Sequence, residues 1–351
     1  MARKQEEPVE ICLERYEYIF QKDLLKDKVA FITGGGSGIC FTIAEIFMRH
    51  GCDTAIVSRN FDRLKKSAET LSRATGRRCL PVQMDVRKPQ TILDAADATL
   101  KEFGKINYLI NGAAGNFLCP LDRMSFNAFK TVMEIDAIGT FNVSKVIFDK
   151  YLKDHGGVII NITATLQVRG TALQAHAGSA KAAIEAMTRH MAVEWGQHGI
   201  RVMCVAPGPI ADTEGMRRLG GRYLEGVARE MLINNIPIQR LGQRVDIADV
   251  CLFTVTRGGD LLTGTTIIAD GGSWLTSTNR GRFMNSEMRE KLEKNIPVQR
   301  MGQREDIANV CLSTVSRAGE LLTGTTIIAD GGAWLTDDNS RLRLMLAKSA
   351  L

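Results

Sequence analysis

Lys28-Val29-Ala30-Phe31-Ile32 is a short, mostly apolar run, and Thr33-Gly34-Gly35-Gly36-Ser37-Gly38-Ile39 follows it without a break. A helix-patterned segment then runs from about Ile39 to Arg49, with Ile43, Ile46 and Phe47 on one face. The apolar run reads as a buried strand. Strand, glycine-rich turn and helix in direct succession turn a weak motif into a usable one. Glycines let the backbone approach a pyrophosphate, and the helix N-terminus offers unpaired N–H groups with a partial positive charge. Gly34, Gly36, Ser37, Gly38 and Ile39 are therefore the candidate phosphate cradle. The fold class that follows is α/β: a doubly wound, Rossmann-type domain with about seven mainly parallel strands.

Ligands in such folds sit at the carboxyl ends of the strands. The second strand, Thr54-Ala55-Ile56-Val57-Ser58, ends at Arg59. An acidic residue there would hydrogen-bond a ribose 2′-hydroxyl and favour NAD; an arginine suits a 2′-phosphate and NADPH. A solvated surface arginine is the alternative. Met84-Asp85-Val86 ends a third strand, which makes Asp85 and Val86 cofactor candidates. Asn111-Gly112-Ala113-Ala114-Gly115 ends a fourth, which adds Ala113.

The chain of 351 residues is 44% hydrophobic, enough to bury a full core. The net charge of +6 suits anionic ligands and is too diffuse to argue for nucleic acid. Eight cysteines are scattered with no CxxC pair, and five histidines form no metal-ligand spacing, so no metal is expected. Reduced thiols in an intracellular compartment follow. No run of about eighteen apolar residues exists, so no membrane span is expected.

Several longer segments carry a family resemblance. They are Thr33 through Ile39, Ala113-Ala114-Gly115-Asn116-Phe117-Leu118-Cys119-Pro120, Ser125 through Met133 and Asp136 through Val143. Asn161-Ile162-Thr163-Ala164-Thr165-Leu166, His176-Ala177-Gly178-Ser179-Ala180-Lys181, Pro207-Gly208-Pro209-Ile210 and Thr213 through Gly221 complete the set. Over about residues 24 to 277 the chain resembles the short-chain dehydrogenases/reductases, and within them the peroxisomal 2,4-dienoyl-CoA reductases.

The resemblance implies NADPH-dependent reduction of 2,4-dienoyl-CoA thioesters to 3-enoyl-CoA in unsaturated fatty-acid β-oxidation. In the wider family a tyrosine usually stands four residues before the active lysine, on the same helix face. Here that place holds Ala177. A conjugated thioester develops negative charge on its carbonyl oxygen, so the site needs oriented donors there and a proton source near the alpha carbon, not a phenol matched to an alcohol.

The resemblance also implies roles. Lys181 would bond the nicotinamide ribose, and the Asn116 amide would donate to the thioester carbonyl. Asp136 stands where related reductases carry an asparagine. It would hold Lys181 or act in proton transfer, the latter needing desolvation or a relayed water because a free Asp titrates near about 3.9. Asp270 is a fourth catalytic candidate. Pro207, Gly208 and Ile210 would bracket the nicotinamide carboxamide, and Thr213 would contact the cofactor phosphates. Phe117, Thr165 and Arg217 join Asn116 on the substrate side. The usual active-site serine position holds Ala164. Two departures stand out. Cys40 replaces the motif's third glycine, where a side chain would displace the helix or weaken cofactor binding. Gly112 replaces an asparagine or cysteine, which would loosen the strand end.

Residues 221–280 align with 281–340 without a gap, with 39 identities in 60 pairs. A period repeated twice is not a solenoid. One sheet has room for one such unit, so the division expected is an arm over 1–26, a reductase domain over 27–280 and a second copy with tail over 281–351. Thr265–Ile268 would be the terminal strand, and 281–351 a peripheral appendage. The C-terminal Ser349-Ala350-Leu351 resembles the peroxisomal signal without its basic residue. Glu6, Glu7, Glu10, Glu14 and Glu17 argue against a signal or transit peptide. Peroxisome is the expected location, with cytoplasm the alternative. An acyl-CoA and further copies of the chain, as a homo-oligomer, are the expected partners. Two other readings stay open: a carbonyl reductase of other specificity, which Ala177 disfavours, and a non-catalytic NADP or acyl-CoA binding protein.

Overall fold

The computed structural model describes residues 10–167, 170–220, 226–275, 303–304, 306–308 and 311. Seven parallel strands form one sheet in the order β3-β2-β1-β4-β5-β6-β7. They are β1 (Val29–Thr33), β2 (Asp53–Ser58), β3 (Cys79–Gln83), β4 (Tyr108–Asn111), β5 (Gly157–Ile162), β6 (Ile200–Pro207) and β7 (Thr266–Ala269). Helices alternate with them: α1 (Gly38–Arg49), α2 (Phe61–Thr75), α3 (Pro89–Phe103), α4 (Phe126–Met133), α5 (Gly139–Ile147), α6 (Lys153–His155), α7 (Ala175–Trp195), α8 (Glu214–Gly220), α9 (Gly226–Asn234) and α10 (Arg244–Val255). The expected doubly wound sheet is therefore present.

Both faces of the sheet are covered. Along β1, Ala30 and Ile32 enter one core with Phe41, Ile43 and Phe47 of α1 and Ile247, Cys251 and Leu252 of α10. Val29 and Phe31 enter the other, with Ile92 and Ala96 of α3 and Val143 and Ile147 of α5. Alternate strand residues point to opposite faces, so a strand buried on both reads as one continuous apolar run. The switch in strand order falls between β1 and β4. That places a crevice beyond the ends of these two strands.

Boundaries shift slightly from the sequence pattern. The helix after the glycine turn starts at Gly38, and β3 stops at Gln83, so Met84, Asp85 and Val86 lie in the loop beyond it. The last strand is Thr266–Ala269, one residue later than expected and drawn from the first repeat copy. Most of the expected appendage over 281–351 lies outside the described residues.

The chain before β1 is anchored as well. The Glu10 carboxylate accepts from the Gly38 N–H at 3.1 Å and pairs with Arg244. It thus sits at the first residue of both α1 and α10. Glu45, buried in α1, accepts from Leu13 N–H at 2.9 Å and pairs with Arg49.

Candidate active site

The turn after β1 begins with Gly34 at φ +70°, a left-handed conformation that side-chain-bearing residues rarely adopt. A Cβ there would also lie 3.1 Å from the Gly112 carbonyl oxygen. Ser37 caps α1 in an extended conformation, and its side chain makes no capping hydrogen bond. Its hydroxyl is thus not committed to its own helix. Among the described residues, the N-terminal end of α1 presents Gly36, Ser37, Gly38 and Ile39 at the mouth of the crevice.

The end of β4 is held against the end of β1. Both Gly112 N–H and Ala113 N–H donate to Thr33 Oγ1, at 2.9 and 3.0 Å. Cys40 and Gly112 turn out to be one feature. A Cβ on Gly112 would lie 2.0 Å from Cys40 Sγ, so the thiol fills the space that a larger residue 112 would occupy. The expected loosening of this strand end is absent. Burial pushes the Cys40 thiol up to about 12, with Lys181 pulling the other way.

Beyond β4, Gly115 N–H donates to Asp136 Oδ1 at 2.7 Å. Asp136 Oδ2 stands 3.2 Å from Lys181 Nζ, and both side chains are buried. Lys181 also donates to the Ile162 carbonyl at 3.2 Å. Asp136 belongs to a π-helical turn, Glu134–Ile138, inserted between α4 and α5. Such turns re-aim a side chain within an otherwise regular helix and recur at functional sites. One carboxylate therefore fixes both the lysine and the loop that carries Asn116. Asn116 Oδ1 is buried without a hydrogen-bond partner among the described residues. Ala177 is buried in α7, and among the described residues no phenol belongs to this cluster.

Asn161, on the neighbouring strand, bonds Asn111 and Thr188 at 2.9 and 2.8 Å. That polar network braces the floor of the cluster from β4 and α7.

The other predicted residues spread around the strand ends. Arg59 is exposed just past β2, and its carbonyl accepts from Gln83. The Arg87 guanidinium beside Asp85 holds that carboxyl below its usual range, through hydrogen bonds at 3.0 and 2.6 Å. Val86 is buried, and its carbonyl accepts from Asn142. Pro207 ends β6, and Ile210 is buried. Gly208 lies against Asp270, since a Cβ on Gly208 would approach Asp270 Cβ to 2.4 Å. The Asp270 carboxylate accepts from Gly272 N–H and Trp274 N–H, at 2.9 and 2.7 Å, and so organises the turn after β7. Thr213 donates to the Ile210 carbonyl and accepts from Met216 N–H, a cap for α8. Arg217 is exposed and paired with Glu214. Thr165 lies in a short 3-10 turn after β5.

Sequence reasoning missed three connections: the Thr33 hydroxyl clamp, the Gly115–Asp136 bond and the burial of His176. Each joins segments far apart in the chain, and no local pattern announces it.

The comparisons with known proteins agree with this geometry. The family model described as Enoyl-(Acyl carrier protein) reductase matches residues 34–274, and matches again over 275–333. The chain is a short-chain dehydrogenase/reductase. Family membership implies a nicotinamide cofactor; at the α1 N-terminus the Ser37 side chain makes no capping bond and so fits a phosphate, while the Gly38 N–H is taken by Glu10. A protein of Danio rerio named peroxisomal 2,4-dienoyl-CoA reductase [(3E)-enoyl-CoA-producing] is 60% identical over 268 residues, 76% of this chain and 88% of its own length. The Rattus norvegicus protein of the same name is 56% identical over 277 residues, 79% of this chain and 94% of its own. The crystal structure of a short chain dehydrogenase from Bacillus anthracis has a TM-score of 0.66 at 35% identity, covering 72% of this chain and 99% of its own. No helix among the described residues is long and apolar enough to cross a membrane.

Proposed function

We propose that this short-chain reductase reduces 2,4-dienoyl-CoA to 3-enoyl-CoA with NADPH, in the peroxisome. One observation carries the reading. The buried Lys181–Asp136 pair is built into the site while Ala177 stands where a carbonyl reductase needs its phenol. An alkoxide product would find no matched proton donor there. An extended enolate, protonated on carbon, needs charge stabilisation at oxygen and a proton nearby. The names of the close relatives support the same substrate and compartment.

NADPH, when bound, supplies the hydride. The chain's own residues do the rest. Gly34, Gly36, Ser37, Gly38 and Ile39 cradle phosphate, and the exposed Arg59 pairs with a 2′-phosphate, the nearby Asp85 carboxylate being held by Arg87. Ala113, Pro207, Gly208, Ile210 and Thr213 shape the rest of the cofactor surface. Lys181 places positive charge at the reacting end and holds the ribose. Asp136 fixes Lys181 and, through Gly115, the loop that presents Asn116 to the thioester carbonyl. A water polarised by the ion pair relays the proton to the alpha carbon. Phe117, Thr165 and Arg217 face the acyl-CoA, and Asp270 supports the Pro207-Gly208 segment from behind.

The test is turnover followed by loss of NADPH absorbance. Dienoyl-CoA should be consumed and simple ketones should not, and NADH should be a poorer donor than NADPH. Replacing Asp136 or Lys181 by alanine should cut turnover while the fold persists, and Lys181→Ala should also weaken NADPH binding. Ketone reduction without dienoyl-CoA reduction would overturn the assignment.

A further inference from the structure

His176 is the second residue of α7 and is fully buried. Neither Nδ1 nor Nε2 has a hydrogen-bond partner among the described residues. Its ring lies against Phe117, with centroids 4.2 Å apart and planes inclined by 47°. Phe117 directly follows Asn116, on the loop that Gly115 ties to Asp136. A neutral imidazole carries one N–H donor and one bare nitrogen. Burying both unpaired is costly, and buried polar groups in native proteins are nearly always satisfied. Asn116 Oδ1, one residue before Phe117 on the same loop, is also buried without a partner among the described residues; it is an acceptor, so what it lacks is a donor. A carbonyl oxygen entering beside Phe117 would accept the imidazole N–H, and Asn116 would serve that oxygen through its Nδ2 donor rather than through Oδ1.

We infer that His176 donates a hydrogen bond from its neutral imidazole to the thioester carbonyl oxygen of an acyl-CoA, acting with Asn116 as a two-donor oxyanion site. The inference rests on the dienoyl-CoA reading and names the group that reading lacks. Charge grows on that oxygen as hydride arrives at the far end of the diene, and fixed donors in a dry site are most effective there. Lys181 is held by Asp136 and Ile162, so it does not have to serve the same oxygen. Burial keeps the imidazole below its usual value, the Asp136 carboxylate opposing, which favours the neutral donor form. No proton is transferred in this role.

Two measurements test it. The full-length protein with isotope-labelled histidine is titrated by NMR with a short 2,4-dienoyl-CoA, with coenzyme A alone as control. A new hydrogen-bonded imidazole N–H signal, absent in His176→Phe, is expected with the dienoyl-CoA only. In turnover, His176→Phe keeps a ring on Phe117 but loses the donor, and kcat should fall on the order of 100-fold. NADPH affinity should stay within about twofold. His176→Gln restores a donor without a ring and should recover about tenfold of that loss. Unchanged kcat in His176→Phe overturns the inference. So does an equal loss in both variants with weakened NADPH binding, which marks a structural residue. If either variant fails to fold, the wild-type imidazole signal decides: no change on adding dienoyl-CoA overturns the role. Failure of the wild-type protein to turn over dienoyl-CoA would instead overturn the functional reading beneath it.

Discussion

Cys40 and Gly112 behave as a single structural choice made at two places 72 positions apart, the sulfur of one filling the void left by the other. Interiors are packed too closely for either to change alone. Gly112→Ala would drive a methyl into Sγ and should destabilise by about 1–3 kcal/mol. Cys40→Gly would leave a void and add backbone freedom to α1, costing about 1–2 kcal/mol. Combined, the two should cost less than their sum, because the new methyl enters the space the sulfur has vacated. Urea unfolding of the two single variants and the double measures the coupling directly, and strict additivity would refute it. His176 offers a second test at this scale. Burial lowers its folded-state value, with Asp136 opposing and Lys181 beyond it on the same helix. Below about pH 6.5 the unfolded chain therefore binds a proton that the folded chain resists, and stability falls as pH falls. His176→Phe should flatten that part of the stability profile. A wild-type profile no steeper than the variant's over mildly acidic pH would count against it.

Helices and strands were far more legible than the contacts between them. The apolar run Lys28–Ile32, the glycine turn and the 3.6-residue pattern after it fixed β1, the crevice and α1, because each depends on neighbours in sequence. Arg59 could be placed at the end of β2 for the same reason. The π-helical turn at Glu134–Ile138 could not be read, since nothing local distinguishes it from the surrounding α-helix. The double use of the Asp136 carboxylate was hidden for a related cause: Lys181 was an expected partner, but the Gly115 N–H depends on a loop path that no periodicity encodes. The segment before β1 is another case. Its acidic pattern does not show that Glu10 takes the first N–H of α1, where unpaired N–H groups and the helix dipole favour negative charge, and pairs with the Arg244 side chain at the start of α10. Glu10→Gln keeps the side chain's size and removes its charge. It should lower stability by about 1–2 kcal/mol, less at high salt, because a charge-assisted bond and an ion pair are both weakened. Calorimetry at low and high ionic strength checks this, and a salt-independent or negligible change would sink it.

For the whole molecule, the duplicated C-terminal unit raises the question of how much chain the reductase needs. The sheet described here is closed by β7 from the first copy, which pairs with β6 from Cys204–Thr266 to Pro207–Ala269. Helix α10, also from the first copy, fills one face through Ile247, Ala248, Cys251, Leu252 and Val255. The aligned positions in the second copy are Ile307, Ala308, Cys311, Leu312 and Val315, identical in every case. The first copy nonetheless holds the seat: Ile247 is 0% exposed, whereas Ile307 is 50% exposed. The first copy also carries Asp249, which accepts from Tyr16 at 3.2 Å, where the second has Asn309. Seating the second copy instead would require some sixty residues with their own apolar strand to be looped out, an uncommon arrangement in compact domains and an exposed-edge hazard. A protein ending at Asn279 should therefore fold with a thermal midpoint within a few degrees of the full chain, about 1 kcal/mol or less for a domain of this size, and should still turn over dienoyl-CoA. Removing 221–280 should cost more, because Asp249, which accepts from Tyr16, is replaced by Asn309. If the shortened protein is unfolded while the internal deletion stays folded and active, the second copy is the working one and the seat assigned to α10 and β7 is wrong.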